Sequence, residues 1–193
     1  TLFYAILFVL VGGLMSLPKR FGFIAFYAHC MLGGLRLLCR LDYTVEGLQN
    51  IPDEPHVALW KHSSAWETFA QFLLGPPKVL VLKRELMWIP FFGMGLALLH
   101  SIAIDRRAGA SAVNQVVDRG RTRLAEGLSV LIFPEGTRFT PAKHAQQQSP
   151  FKGLLKPKSG GMAYALDAMG QGLQHILDVT LRYPNGKPSM YDL

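Results

Sequence analysis

The sequence predicts an α/β fold, a mixed sheet covered by helices, preceded by an apolar helical segment. Three observations lead there. From residue 42 onward, short runs rich in Val, Ile and Leu alternate with stretches of helical periodicity. Gly and Pro stop several of these runs, and no internal repeat or low-complexity tract interrupts them. Ahead of residue 42 the chain is mostly apolar, which separates a helical segment 1–41 from a domain 42–193.

Composition narrows the class of partner. The chain has 193 residues, half of them hydrophobic and 17% charged, enough for one domain with a sizeable core. Mean hydropathy is +0.22, high for a soluble protein, which points toward a membrane. A formal charge of +7 and a pI near 9.6 imply an anionic partner surface: phospholipid, a phosphorylated substrate or nucleic acid. Nucleic acid is disfavoured, because neither aromatic–basic interleaving nor a helix-turn-helix signal accompanies the charge. Cys30 and Cys39 fall in one helical stretch. Their spacing puts them on opposite sides, ~13 Å apart along the axis, so they do not bond to each other. A reduced compartment fits this usage. The chain starts at Thr1 rather than Met and ends at Leu193 without a closing signal, so a fragment with a truncated C-terminus is expected.

Each element has its basis in local pattern. Residues 2–17 are uncharged, and Pro18-Lys19-Arg20 closes the run. As a helix it spans ~25 Å, short of a full bilayer crossing. No basic n-region or small-residue cleavage pattern precedes Lys19, which argues against a signal peptide. Residues 21–41 form a second apolar stretch with Arg36 and Arg40 near its end. It reads as an interfacial or half-inserted helix with its arginines at the headgroups, and two buried core helices are the alternative. Lys19, Arg20, Arg36 and Arg40 would put the domain 42–193 on the cytoplasmic side. Strands are then predicted at 43–45, 56–60, 78–82, 101–104, 129–133 and 177–182. Helices fit 64–74, 110–126 and 161–169, the last two stopped by Gly127 and Gly170.

Three stretches have the residue types for chemistry. In Lys61-His62-Ser63-Ser64-Ala65-Trp66-Glu67, a histidine after a strand precedes a carboxylate by five residues. His62 can act as a base while Glu67 holds its other ring nitrogen. The bland alternative stands beside it: Ser64 and Glu67 form a capping box, and His62 is an ordinary loop residue. Lys83-Arg84 and Arg106-Arg107 each end a strand, suited to phosphate or simply solvated. Gly93-Met94-Gly95 lacks the third glycine and the preceding strand of a dinucleotide site. Phe133-Pro134-Glu135-Gly136-Thr137-Arg138 ends a buried strand with a carboxylate, a permissive glycine, a hydroxyl and a guanidinium together. That set can hold a polyol and a phosphate. The run from Arg138 to Lys158 has five basic residues and no acids, a basic loop or a face for anionic lipid.

Together, His62-x4-Glu67, the block from Lys83-Arg84-Glu85-Leu86 through Pro90-Phe91-Phe92-Gly93 to Ile104-Asp105-Arg106, and Phe133-Pro134-Glu135-Gly136-Thr137-Arg138 resemble the glycerolipid acyltransferases. Within that family the likeness is to the lysophosphatidate (1-acylglycerol-3-phosphate) acyltransferases, and it covers roughly residues 42–183. The resemblance implies His62 as general base and Glu67 as the acid orienting it, where the family usually has aspartate. It implies Lys83 and Arg106 at the substrate phosphate, Gly93 in the acceptor-side loop, and Glu135, Gly136, Thr137 and Arg138 at the glycerol phosphate. One departure is Asp178, which stands where the family often has proline in a Val-Pro-Val-like strand. This looks like a divergent branch, which includes enzymes acting on other lysophospholipids.

The expected activity is transfer of a fatty acyl group from acyl-CoA or acyl-carrier protein to a lysophospholipid hydroxyl, with no metal and no cofactor. The expected place is a bacterial inner membrane with the site facing the cytoplasm. Two rivals remain: a lipid (thio)esterase using Ser63 or Ser64, and a non-catalytic lipid-binding protein at the membrane surface. No Gly-x-Ser-x-Gly occurs to favour the esterase.

Overall fold

The computed structural model describes residues 2–105, 107–158, 163, 166–167, 170 and 173–183. Helices α1 (Leu2–Gly12) and α2 (Leu17–Cys39) come first. The α/β domain then runs as β1 (Val57–Trp60), α3 (Trp66–Ala70), β2 (Lys78–Lys83), a 3-10 turn Arg84–Trp88, α4 (Phe92–Leu98), β3 (Ile102–Ile104), α5 (Ala110–Ala125), β4 (Ser129–Ile132), α6 (Pro141–Gln147) and β5 (Ile176–Val179).

The strands form one sheet in the order β3-β2-β4-β1-β5. The α/β class with a helix-covered sheet holds. The sequence pattern predicts a mixed sheet, and the four pairings among the described strands are all parallel. The reason is topological: every connection between successive strands contains a helix, and none is a tight hairpin. Central strand β4 is buried along its whole length, as a parallel sheet covered on both faces requires. Alternating side chains feed two cores. Val57, Val79, Val130 and Ile132 pack with Phe8, Phe21 and the α5 residues Val116, Val117 and Leu124. Ala58, Trp60 and Leu131 pack with Leu32 of α2 and Ala70 of α3.

The N-terminal helices break elsewhere than the charge pattern predicts. The first ends at Gly12, and the second starts at Leu17 with Pro18 in its opening turn, where proline is favoured. Arg20 is the physical reason. Its guanidinium donates to the carbonyls of Gly12 (2.8 Å), Met15 (3.0 Å) and Leu98 (3.0 Å). One cation thus ties together carbonyls at the ends of α1 and α4, so Arg20 is a structural clamp as well as part of the charge bias. Phe8 of α1 stacks on Phe23 of α2, and Tyr4 lies tilted against the same ring. Along α2, Phe21, Ala28 and Leu32 form the buried stripe.

Other boundaries shift for local reasons. Residues 43–45 are not a strand, because none of the described strands pairs with them; Tyr43 instead packs edge-on against Trp66. The helix expected over 64–74 is regular only from Trp66 to Ala70 and then loosens into turns before Gly75. Strand β5 begins one residue early and ends at Val179, short of 182. The helix expected over 161–169 falls largely outside the described residues.

The candidate active site

Strands β1, β2 and β4 all deliver their C-terminal ends to one edge, where open parallel sheets place their sites. Just past β1, His62 turns its ring onto Phe133, the residue after β4 (centroids 4.2 Å apart, 24° between planes). Its Nδ1 lies 3.0 Å from Glu67 Oε1. Glu67 is 0% exposed, whereas the His62 side chain keeps 16%. A carboxylate only accepts, so Nδ1 bears the hydrogen and Nε2 keeps the lone pair.

Glu67 is held by more than the imidazole. Its Oε1 also accepts from the main-chain N–H groups of Ser63 and Ser64 (2.6 Å for the latter), and its Oε2 accepts from Ser64 Oγ at 2.6 Å. Burial alone pushes this carboxyl up. The bonds from His62, Ser64 and the backbone outweigh burial and leave it below its ordinary value. One carboxylate thus both reaches back to the Ser64 main-chain N–H and bonds the His62 ring.

A second buried carboxylate fixes the same corner from β4. Glu135, 5% exposed, accepts from His62 N through Oε1 (3.1 Å) and from Leu155 N through Oε2 (2.9 Å). His62 O accepts from Phe139 N at 2.8 Å. Both main-chain polar groups of His62 are thus tied to the segment after β4. Beside Glu135 opens a cleft of about 410 Å³, with Lys83, Arg107 and Lys158 as its cations and Gly136, Thr137, Glu85 and Gln147 completing the lining. Gly136 has φ +68, and a Cβ there would touch the Lys158 stem at 3.4 Å. Glycine both permits that turn and leaves room for the lysine.

A family model described as Acyltransferase matches residues 42–183. The chain belongs to that family. A 1-acyl-sn-glycerol-3-phosphate acyltransferase of Pseudomonas aeruginosa is 46% identical over 135 residues, covering 69% of this chain and 48% of that protein. The one of Escherichia coli is 30% identical over 179 residues, covering 87% and 66%. The chain thus spans between about half and two thirds of the length of these relatives. The crystal structure of the 1-acyl-sn-glycerophosphate (LPA) acyltransferase from Thermotoga maritima superposes with a TM-score of 0.58 at 18% identity, over 92% of this chain and 80% of that one. It shares the fold.

Within this acyltransferase fold, the residues singled out from sequence separate into three groups. His62 and Glu67 are in direct contact, and Lys83, Glu135, Gly136 and Thr137 meet at the cleft. Gly93 and Arg138 do not line it. Gly93 lies buried in the first turn of α4, where a Cβ would sit 2.0 Å from Met87 O, so glycine is needed for close packing. Arg138 is exposed, and its carbonyl accepts from Lys143 Nζ at 3.2 Å. Arg106 lies outside the described residues. The sequence reading left Arg107 undecided between phosphate and solvent, and it missed Lys158 as a cleft cation and Lys143 as the donor to Thr137 Oγ1 (2.8 Å). The acid-free basic run from Arg138 to Lys158 contains the signal for both lysines.

The lowered Glu67 value has a pH consequence. Its contribution to stability is fully present above its ordinary value of 4.5 and is lost as pH falls through the lowered folded value. Glu67→Gln is expected to cost about 1–3 kcal/mol at neutral pH and to flatten the acid dependence. Thermal melts of both proteins across the acid range check this, and parallel pH curves would show that Glu67 is not the depressed group.

Proposed function

We propose that the chain transfers a fatty acyl group from an acyl thioester to the free hydroxyl of lysophosphatidate or a related lysophospholipid. The observation behind this is the His62–Glu67 pair, linked through Glu135 to a cleft with three cations. Nε2 of His62 takes the proton of the acceptor hydroxyl as its oxygen attacks the thioester carbonyl carbon. The tetrahedral intermediate collapses with cleavage of the C–S bond, and the proton on the imidazole passes to the departing thiolate. Glu67 keeps the ring in the Nδ1–H tautomer and stabilises the imidazolium. Thiolate is a good leaving group, so base catalysis and positioning suffice, and no cofactor enters these steps. The donor is acyl-CoA or acyl-carrier protein.

Lys83, Arg107 and Lys158 suit the acceptor phosphate, with Thr137 beside them. Arg106, Gly93 and Arg138 are assigned to the acceptor side on family resemblance. Glu135 spends both oxygens on main-chain N–H groups, so its role here is to hold the His62 corner. An esterase using Ser64 is disfavoured, since that hydroxyl donates its only proton to Glu67, and Ser63 is buried.

The same reading puts the protein on a membrane. Helix α2 is 23 residues long, with a mean hydropathy of 1.4 over its best window, long and apolar enough to cross a bilayer. Its Phe21, Ala28 and Leu32 nevertheless pack onto the domain, which favours an interfacial seat. Leu2, Phe3, Leu10 and Leu14 around α1, with Trp88, Phe92 and Met94 on the 3-10 turn and α4, expose a wide apolar surface. These elements adjoin, for Gly12 packs on Leu98 and Gly95 faces Phe8. Lys19, Arg36 and Arg40 favour a cytoplasmic face, and the bacterial relatives favour an inner membrane.

Three measurements test the proposal. His62→Ala is expected to lower acyl transfer to lysophosphatidate about 100- to 10,000-fold, with folding and membrane binding intact. Near-normal turnover would sink the assignment, and absence of turnover in both proteins would favour a lipid-binding role. Lys158→Ala is expected to raise the acceptor KM about tenfold or more with little change in donor KM, in line with a charged hydrogen bond. Equal rises in both would remove the lysine from the acceptor phosphate. Replacing Trp88 and Phe92 together by Ala is expected to weaken flotation with vesicles of mixed neutral and anionic phospholipid by about tenfold or more. Unchanged flotation would take the 3-10 turn and α4 off the membrane face.

A further inference from the structure

One residue beyond the family motifs reaches the acid of the pair. Ser64 Oγ lies 2.9 Å from Tyr183 Oη, across 119 residues of sequence. A serine hydroxyl has one hydrogen and two lone pairs. Its hydrogen goes to Glu67 Oε2 at 2.6 Å, and one lone pair accepts from Trp66 N at 3.0 Å. The remaining capacity is an acceptor, so Tyr183 is the donor. The bonds run one way: Tyr183 Oη–H to Ser64 Oγ, Ser64 Oγ–H to Glu67 Oε2, and His62 Nδ1–H to Glu67 Oε1. Burial pushes the Tyr183 phenol up, and the Glu67 charge adds to this against the opposing bond to Ser64. Tyr183 therefore keeps the proton it donates.

Sheet register puts the tyrosine there. Strand β5 runs parallel to β1 with Val57 opposite Ile176 and Trp60 opposite Val179, the same separation in sequence as Ser64 and Tyr183. Past the strands the two chains stay side by side, with Lys61 N donating to Val179 O (3.1 Å) and Lys61 Nζ to Leu181 O (3.3 Å). Tyr183 thus sits opposite Ser64 because the register continues through the corner.

We propose that Tyr183 is a positioning residue of the acyl-transfer site, acting through Ser64 to hold the Glu67 carboxylate at the angle that serves His62. This rests on the acyl-transfer reading above. The need for it arises from the glutamate. Compared with aspartate it has one more rotatable bond, which must be fixed for Oε1 to meet Nδ1 while Oε2 is held elsewhere. Ser64 supplies that second anchor, and Tyr183 polarises and orients Ser64.

The test is Tyr183→Phe, which removes only the hydroxyl, measured for acyl transfer from a thioester donor to lysophosphatidate. The expected result is a kcat about 3- to 10-fold lower, the size of one net hydrogen bond, with donor and acceptor KM unchanged. Adding Tyr183→Phe to Ser64→Ala or to Glu67→Gln should cost nothing further, because the relay is already cut. Wild-type kcat in Tyr183→Phe overturns the proposal. So does an undiminished loss in the Glu67→Gln background, or a loss appearing only in KM. His62→Ala, run alongside, separates the two levels. If it matches wild type, the acyl-transfer reading falls. If it is inactive while Tyr183→Phe is fully active, only the positioning role falls.

Discussion

A single buried carboxylate, Glu67, sets the conditions for everything around it. Fully withdrawn from solvent, its charge is tolerable only if each oxygen is met by donors. Three come from consecutive residues, the His62 ring and the main-chain N–H groups of Ser63 and Ser64, all on one oxygen. The backbone from β1 into α3 must therefore wrap around that oxygen. This same wrapping puts the His62 ring at a fixed distance and leaves its far nitrogen outside the bond to Glu67. The charge that would otherwise destabilise the fold is what orients the imidazole.

A second buried carboxylate repeats the logic from the neighbouring strand. Glu135 satisfies the His62 main-chain N–H and a Leu155 N–H in the segment beyond β4. Two strands adjacent in the sheet but 73 residues apart in sequence are thereby joined at their C-terminal ends. Parallel strands supply no hairpin to fix such a corner, so side-chain acceptors do it. Glu135 thus holds the His62 corner, and Lys83, Arg107 and Lys158 are the cations of the cleft beside it; on the proposed reading these meet the acceptor phosphate.

How much was legible in the sequence depends on how far each signal travels along the chain. Apolar runs bounded by Gly, Pro and charge marked β1, β2, β3 and β4 to within about one residue, because burial on both faces leaves a dense local signature. His62 and Glu67 were legible because both fall in one short stretch, where the turn into α3 brings them together. Strand direction was not, since it depends on which crossover wins. Arg20 read only as one of four cations setting the cytoplasmic side, and nothing local reveals that its guanidinium bonds carbonyls at Gly12 and Leu98. Tyr183 carries no local signal either: its bond to Ser64 exists only once β5 is registered against β1. Gly93 was legible as special, but its close packing on Met87 was not, since a packing glycine and a ligand-facing glycine look alike in sequence.

The arrangement of the sheet edge also bears on how a lipid would reach the base. Strand β2 ends at Lys83, which lines the cleft, and the chain turns at once into the 3-10 turn that exposes Trp88. Helix α4 then presents Phe92 and Met94 while packing its inner side on α1. Cation and apolar surface are thus consecutive on one segment, spaced by a single short turn. A lysophospholipid has the same order, a phosphate next to the acyl-bearing glycerol and then the chain. On the proposed reading, an acceptor with its tail in the membrane can present its headgroup to Lys83 without leaving the bilayer. The transfer of its acyl chain from the bilayer into water, which would cost about 0.8 kcal/mol per methylene, is then never incurred. On that reading the apolar segment beside the cleft and the cations within it serve one substrate geometry, and neither would do so if β2 ended on the opposite edge of the sheet.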